Sequence, residues 1–169
     1  NKQISFRRFS GDIRDKKTVS NCIKKTNVNI ILHLAAIVPI KVVNRDKIKA
    51  HQVNYEGTKN IVDACIDRKI DWFFFSSTSH VYKSSKKKIS EKFIKKPVSY
   101  YGLTKLKAEN YIQKRFKHTK TKYCIGRIFS TTNKNQKKNY LVPDLKFRIK
   151  KNKKKIVLKN LNHFRDFIT

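Results

Sequence analysis

Apolar residues along this chain gather in short continuous runs. The runs cover residues 28–36, 72–77 and 123–129, with a shorter one at 156–158. The first three are uninterrupted instead of alternating with polar residues, which is typical of strands covered on both faces. We therefore predict buried parallel strands at these three places and a weaker strand at the fourth.

The stretches between the runs carry apolar residues at the spacing of one helix face. Residues 15–25, 54–69 and 101–116 each show this pattern. Strand, helix and strand thus alternate along the chain, which indicates a parallel α/β sheet. Because right-handed crossovers are the rule for such units, we expect a doubly wound sheet with helices on both faces.

The residue composition of the chain changes after the third apolar run. Residues 130–139 are polar and predict a loop, whereas residues 140–149 predict a short helix with Pro143 near its start. We therefore place a first domain at residues 1–134 and the start of a smaller lobe at residues 135–169. The chain contains no Met and stops within an apolar segment, so we expect it to be truncated at both ends.

The charge of the chain is strongly positive. Lys and Arg number 42 against 11 Asp and Glu, for a net charge of +31. Such an excess suits an anionic partner, whether nucleic acid, membrane or phosphorylated substrate. The Lys residues are spread along the chain instead of clustering with aromatic residues, so we favour a bias of composition over a nucleic-acid interface. The surface still favours a substrate that carries a diphosphate.

The cysteines and histidines give no sign of a disulfide framework or a metal site. The 3 cysteines are far apart and form no CxxC motif, which indicates a reducing compartment, and we predict a cytoplasmic protein. His51, His118 and His163 lack the spacing of metal ligands, so we predict no metal. No apolar run approaches the about 18 residues that a membrane span needs, and we expect no membrane partner.

The strongest chemical signal is the pair formed by Tyr101 and Lys105. Residues at i and i+4 lie on one face of a helix. A phenol, with a pKa of about 10, is a poor base at neutral pH, but a neighbouring ammonium favours the phenolate. The pair can therefore move a proton to or from a hydroxyl or carbonyl group. Alone, this spacing is common by chance and predicts no more than a surface pair.

The segment Ser76–Tyr82, which follows the second apolar run, gives that pair a context. Hydroxyl groups at the carboxyl end of a parallel strand lie where ligands bind in open α/β sheets. The chain from Thr78 to Tyr101 is long enough for a loop that returns to the next helix. A cap at the end of the strand is the alternative explanation for Thr78.

Taken together, these segments resemble the extended short-chain dehydrogenase/reductase family, also called the NAD-dependent epimerase/dehydratase family, in its nucleotide-sugar branch. The resemblance covers essentially the whole chain. It implies a doubly wound Rossmann-type parallel sheet, incomplete because the first βαβ unit is missing, followed by the start of a small C-terminal substrate lobe. The ordered segments that carry it are Gly11–Asp15, His33–Ala36, Asn54–Thr58, Thr78, Tyr101–Lys105, Arg127–Ser130 and Arg165–Ile168.

The resemblance implies a cofactor, NAD or NADP, and three catalytic residues. Thr78 would hydrogen-bond the reacting sugar oxygen, Tyr101 would act as acid and base, and Lys105 would hold the nicotinamide ribose and tune the tyrosine. The implied cofactor-binding residues are Asp12, Ile13, Leu34, Ala35, Ala36, Asn54, Tyr101, Lys105 and Phe129. The implied residues for a nucleotide-diphosphate sugar are Thr78, Ser79, Tyr101, Ser130 and Arg165.

Several features depart from the family pattern. The Gly-rich phosphate turn is absent and should lie upstream of Asn1, so we expect the chain alone to bind no cofactor. Ser130 replaces the usual Asn. Sugar 4,6-dehydratases of the family usually follow the catalytic hydroxyl with Asp-Glu, where this chain has Ser79 and His80. We therefore rank 4-epimerisation or 4-keto reduction above dehydration, and we interpret His80 as a loop residue in preference to a base.

Other possibilities remain open at this point. The resemblance implies a homodimer, with the helices at residues 54–69 and 101–116 as candidates for its interface. A non-catalytic nucleic-acid-binding module would bind DNA or RNA tightly and in a salt-sensitive way, but the aromatic residues lie in the apolar runs. A relative that has lost catalysis is disfavoured because Thr78, Tyr101 and Lys105 are all present.

Overall fold

A computed structural model describes residues 5–137, 140–151, 155, 157–158 and 167–168 of the chain. The chain divides into two compact units, one ending at Arg127 and the other beginning at Ile128. Each unit is described by itself. The first unit ends ahead of residue 134, where the sequence places the end of the first domain.

The first unit contains the predicted alternation of helices and strands. Its elements follow one another as α1 (Lys16–Lys25), β1 (Ile30–His33), α2 (Ile40–Arg45), α3 (Lys47–His51), a π-helical turn (Gln52–Glu56), α4 (Gly57–Arg68), β2 (Trp72–Thr78), a 3-10 turn (Ser79–Val81), α5 (Tyr100–Phe116) and β3 (Lys122–Ile128). The three long helices and three strands were predicted from the apolar pattern. The short α2 and α3 were not, because few residues show a helical stripe there.

Polar side chains define where the helices begin and end. Asp15 caps α1 by accepting a hydrogen bond from the backbone N–H of Thr18, and Ser99 caps α5 by accepting from Gly102 N–H at 3.0 Å. Helix α4 ends at Arg68, and the residue after it, Lys69, adopts a left-handed conformation with φ of 57°. These caps fix the register of the helices that carry the predicted site.

The sheet is parallel and has the order β1-β2-β3. Ile30 pairs with Trp72, and His33 pairs with Phe75. Helix α4 connects β1 to β2, and α5 connects β2 to β3. Because each strand is added on the same side of the one before it, right-handed crossovers place α4 and α5 on the same face of the sheet. In the part of the chain that the structure describes, α1, α4 and α5 therefore cover one face, which is half of the predicted doubly wound arrangement.

The core lies between these helices and the covered face of the sheet. Phe73 and Phe75 of β2 are fully buried and share a cluster with apolar residues of α1, α4 and α5. The alternate residues point to the other face, where Leu32 of β1 is 49% exposed. The prediction of strands buried on both faces is therefore met on one face of the described sheet.

The second unit contains three elements among its described residues: β4 (Ser130–Thr131), α6 (Leu141–Lys151) and β5 (Phe167–Ile168). Strands β4 and β5 are parallel, with Ser130 opposite Phe167. Helix α6 agrees with the helix predicted at residues 140–149. The weaker strand predicted at 156–158 is not seen at Val157 and Leu158, which are exposed and belong to no strand; Ile156 lies outside the described residues.

Candidate active site

The structure places the turn after β2 directly against the first turn of α5. Val98 N–H donates a hydrogen bond to the carbonyl oxygen of His80 at 3.1 Å. A Cβ atom at Gly102 would lie 2.3 Å from the same oxygen, so only glycine permits this contact. The rings of His80 and Tyr101 meet edge to face with centroids 6.0 Å apart. The turn that carries Thr78 and the helix that carries Tyr101 are thereby brought together.

The side chain of His80 helps to hold this junction. Its Nδ1 atom lies 3.0 Å from the hydroxyl oxygen of Ser99, the residue that caps α5. Its backbone N–H donates to Thr78 Oγ1 at 3.3 Å. Thr78 is buried and Ser79 is half-buried. These contacts give His80 a structural task, in agreement with its interpretation as a loop residue.

Tyr101 and Lys105 occupy the buried face of α5. Tyr101 is 8% exposed and packs against Val43 and Ala50, and Lys105 is 1% exposed. The Nζ atom of Lys105 lies 4.0 Å from the centroid of the Phe75 ring. Burial lowers the pKa of Lys105 to about 7, against the opposing charge of Glu109. Lys105 can therefore gain or lose a proton near neutral pH.

A buried histidine lies close enough to respond to the charge of Lys105. His33, at the end of β1, is buried, and its Nε2 atom lies 2.8 Å from Thr58 Oγ1. Burial and then the charge of Lys105 lower the pKa of His33 to about 3. His33 is therefore neutral at physiological pH and adds no second charge beside Lys105.

Two charged residues of this region were not predicted as site residues. Glu109, one turn after Lys105 on α5, is fully buried and pairs with Arg127 of β3, whose Nη2 atom lies 2.7 Å from Glu109 Oε2. Ser77 donates a hydrogen bond to the other carboxylate oxygen. The signal in the sequence is the continuation of the Tyr101–Lys105 spacing to Glu109, whereas the pairing with Arg127 is visible only in three dimensions.

The residues predicted to hold the adenine surround one groove. The groove has a volume of about 570 Å³ and is lined by Gly11, Asp12, Ile13, Ala35, Ala36, Ile37 and Val53. Hydrogen bonds from Arg14 lower the pKa of Asp12 to about 2, so this exposed carboxylate is ionised. Leu34 is 62% exposed next to the groove in sequence. An apolar wall with an ionised acceptor at its rim fits an adenine ring and its amino group.

Both the oxygen and the nitrogen of the Asn54 side-chain amide form hydrogen bonds within the protein. The side chain is fully buried, and Oδ1 accepts a hydrogen bond from Ile37 N–H at 2.7 Å. Nδ2 donates to Ile37 O at 3.0 Å and to Thr104 Oγ1 at 3.3 Å. Asn54 thus joins the segment after β1 to α5. The predicted cofactor contact at Asn54 would have to use the second lone pair of Oδ1.

The remaining predicted contacts belong to the second unit or beyond the described residues. Phe129 and Ser130 are half-buried, and Ser130 begins β4. Arg165 lies outside the described residues. The pairing of Ser130 with Phe167 brings together the backbones of the two segments that were predicted to contact substrate.

The described residues contain neither a metal cluster nor a helix that could span a membrane. No group of three or more His, Cys, Asp or Glu side chains there could hold a metal ion. In the same residues, no helix combines the length and the apolar character needed to cross a membrane.

Comparison with known proteins places this chain in a family. A family model described as NAD dependent epimerase/dehydratase matches residues 1–169. GDP-6-deoxy-D-talose 4-dehydrogenase of Aggregatibacter actinomycetemcomitans is 30% identical over 161 residues, which cover 94% of this chain and 53% of the relative. dTDP-D-glucose 4,6-dehydratase of Dictyostelium discoideum is 26% identical over 165 residues, which cover 90% of this chain and 38% of the relative.

A solved structure shows the same fold. The UDP-N-acetylglucosamine 4-epimerase from Methanobrevibacter ruminantium M1, in complex with UDP-N-acetylmuramic acid, matches with a TM-score of 0.82 at 21% identity. The match covers 94% of this chain and 52% of that one. The chain therefore spans about half the length, or less, of the proteins that it resembles.

Proposed function

Because the chain belongs to the NAD dependent epimerase/dehydratase family, we propose that it carries the catalytic residues of an enzyme that modifies a nucleotide-diphosphate sugar. The reaction is 4-epimerisation or 4-keto reduction, with NAD or NADP as the cofactor. The observation that carries the proposal is the close packing of the Thr78 turn on the start of α5, with Lys105 buried one helical turn beyond Tyr101.

Each of the three catalytic residues has a defined task in this reaction. The bound cofactor supplies hydride transfer at the sugar carbon. Thr78 donates a hydrogen bond to the reacting sugar oxygen, and Tyr101 takes the proton from that oxygen or returns it. Lys105 supplies a positive charge that favours the phenolate of Tyr101. The low polarity around Lys105, where Phe75 lies under its Nζ atom, strengthens this electrostatic effect.

Contacts of the groove and of the Thr78 turn support the proposed binding residues. We propose that Asp12 and Ile13 bind the adenine and that the backbone from Leu34 to Ala36 runs along the cofactor. In support of this, Asp12, Ile13, Ala35 and Ala36 line the same groove. The family pattern further assigns Phe129 to the nicotinamide, Ser130 to the sugar and Arg165 to the diphosphate. These assignments rest on the match to the family pattern.

The turn after Thr78 favours epimerisation or reduction over dehydration. Elimination of water calls for an acid and a base beside the catalytic hydroxyl, and this turn offers Ser79 and His80. His80 is hydrogen-bonded to the cap of α5, a contact that restrains its ring. A 4,6-dehydratase is the second candidate, because relatives of that activity match most of the chain.

Substitution of Tyr101 tests the proposed chemistry. In the complete enzyme, Tyr101→Phe is expected to lower kcat by about 100-fold or more, because acid–base catalysis is lost, while NAD affinity changes by less than about twofold. Tyr111→Phe is the matched control on the same helix, because its hydroxyl donates to Asp63 at 2.7 Å and is not part of the proposed catalytic set. Full activity of Tyr101→Phe would disprove the assigned role.

A homodimer is a further part of the proposal, with α4 and α5 as its interface. The two helices lie side by side: Tyr111 and Arg115 of α5 both contact Asp63 of α4. Leu103, on the same helix α5, is an apolar residue that is 37% exposed. We expect Leu103→Glu to give a monomer in analytical ultracentrifugation. An unchanged sedimentation coefficient would exclude this interface.

We also propose a cytoplasmic location, supported by the state of the cysteines. Cys22, Cys65 and Cys124 are all free thiols. Burial raises the pKa of Cys65 to about 12, so its thiol is unreactive. Fractionation of cells that express a tagged protein tests the location, and recovery in an oxidising compartment would contradict it.

A further inference from the structure

The buried pair formed by Glu109 and Arg127 lies outside the three proposed catalytic residues. We propose that this pair is a positioning device for Lys105: Glu109 holds Lys105 in its protonated form, and Arg127 limits that effect by neutralising part of the carboxylate charge. The proposal deepens the proposed function, because it concerns the residue that tunes Tyr101.

The geometry of the pair is tight on all sides. Arg127 contacts Glu109 through Nε at 3.0 Å and through Nη2 at 2.7 Å, which gives a two-pronged pair. Glu109 is fully buried, and the Arg127 side chain is 13% exposed. The Nη1 atom of Arg127 donates to Tyr82 Oη at 2.7 Å and to the carbonyl oxygen of Glu91 at 2.9 Å. The guanidinium is therefore held in one place by three residues of the first unit, Glu109, Tyr82 and Glu91.

Glu109 is the carboxylate that stands closest to Lys105 along α5. Residues at i and i+4 are neighbours on a helix face, and Glu109 is the opposite charge that acts on the ammonium of Lys105. In this buried region the interaction is weakly screened. Part of the carboxylate charge is directed to Arg127 and Ser77. Glu109 therefore raises the pKa of Lys105 by less than an unpaired carboxylate would.

Phe75 and His33 also lie around Lys105, and neither carries a charge near pH 7. Phe75 of β2 contributes an aromatic face. His33 of β1 is uncharged, because its pKa is about 3. Tyr101 lies one turn back on α5 and is the group that Lys105 is proposed to tune. Among these neighbours of Lys105, the Glu109–Arg127 pair is therefore the one whose charges act on the pKa of Lys105.

Removing the two charges separately gives effects of opposite sign. Glu109→Gln takes away the supporting negative charge and leaves Arg127 positive, so the pKa of Lys105 is expected to fall by about 1 or more. Arg127→Met frees the carboxylate to support the ammonium, so the pKa of Lys105 is expected to rise. A merely structural pair behaves differently, because loosened packing admits water and moves the pKa of Lys105 upward in both variants.

The experiment is an NMR titration of lysine side chains in the complete protein, labelled with ¹³C and ¹⁵N lysine, in the absence of cofactor and substrate. The spectrum of Lys105→Arg identifies the signal of Lys105. A lower midpoint in Glu109→Gln, together with a higher midpoint in Arg127→Met, supports the proposal. A higher or unchanged midpoint in Glu109→Gln overturns it. Because this readout does not depend on turnover, it separates the proposal from the proposed function.

A double variant keeps the test decisive if Glu109→Gln does not fold. Replacing both partners of a buried ion pair by neutral residues of similar volume is often tolerated. In Glu109→Gln with Arg127→Met, the pKa of Lys105 is expected to stay below that of the natural protein, since the support of the carboxylate is gone. A midpoint above the natural value would contradict the proposal. Asp63→Asn, which removes the charged partner of Arg115 on α4, is the control and should leave the midpoint unchanged.

Discussion

The buried start of α5 and the open groove at Asp12 are two parts of one proposed cofactor site, and they are built in opposite ways. Lys105 is 1% exposed, and burial is what lowers its pKa to about 7. Asp12 is exposed, and hydrogen bonds from Arg14 lower its pKa to about 2. Under the proposed function, the buried end prepares chemistry, whereas the open end supplies affinity. Substitutions in the two regions should therefore fail in different ways.

The largest expected effect concerns the neutral His33 at the buried end. Its folded pKa of about 3 lies below its ordinary value of 6.5, so the unfolded chain binds a proton that the folded one excludes. The free energy of unfolding should therefore fall as pH drops from 6.5 toward 3, by roughly 3–5 kcal/mol from this residue. Urea unfolding at a series of pH values measures the slope, which His33→Gln should flatten.

The exposed His118 provides the control for that experiment. His118→Gln replaces an exposed histidine and is expected to leave the pH dependence of unfolding unchanged. An equal slope in His33→Gln and in the natural protein would show that burial of His33 does not make the protein acid-sensitive, and the contrast between the two regions would lose one of its supports.

A second test addresses the packing that joins Thr78 to α5. A Cβ at position 102 would lie 2.3 Å from the carbonyl oxygen of His80, so Gly102→Ala must push the helix and the turn apart. We expect a loss of about 1–3 kcal/mol in stability and a fall in kcat of about tenfold or more, because misplacement of catalytic groups is costly. Thermal unfolding and steady-state kinetics measure the two effects.

Asn110→Ala is the matched control for Gly102→Ala. Asn110 is exposed on the same helix, so its replacement is expected to change stability by no more than about 0.5 kcal/mol. If Gly102→Ala behaved like Asn110→Ala in both measurements, close contact between the turn and α5 would not be needed for activity.

The smallest expected effect lies in the open groove. Asp12→Ala removes an exposed acceptor for the adenine and should weaken NAD binding by about threefold to tenfold, since a single hydrogen bond contributes about 1 kcal/mol. The kcat at saturating NAD should stay within about twofold. Titration calorimetry gives the affinity, and Asp67→Ala, an exposed position on α4, is the control. A large fall in kcat for Asp12→Ala would contradict the division between affinity and chemistry.

The elements of the fold follow from local pattern, whereas several contacts of the site do not. The continuous run at Trp72–Ser77 and the helix spacing of Tyr101 and Lys105 are properties of neighbouring residues, and the sequence predicts both. The pairing of Glu109 with Arg127 joins a helix to a strand and leaves no periodic signal. The same holds for Asn54, whose amide is bound to Ile37.

The placement of the helices on one face also depends on more than local pattern. A continuous apolar run predicts a strand that is covered on both faces, but the order of the strands decides where the crossover helices lie. Strand order is set by long-range pairing, such as that of Ile30 with Trp72. The second face of the described sheet, with Leu32 half-exposed, is therefore a feature that the structure adds.

The most direct test of the central claim follows the hydrogen at C4 of the sugar. The complete enzyme is incubated with NAD and with UDP-, GDP- or dTDP-hexoses that carry deuterium at C4, and the products are examined by NMR and mass spectrometry. The account predicts that one of these sugars is oxidised or inverted at C4 and that Tyr101→Phe abolishes the change. Deuterium recovered at C6 with loss of water would favour the dehydratase alternative. Retention of the C4 deuterium with unchanged configuration in all of these sugars would contradict the account.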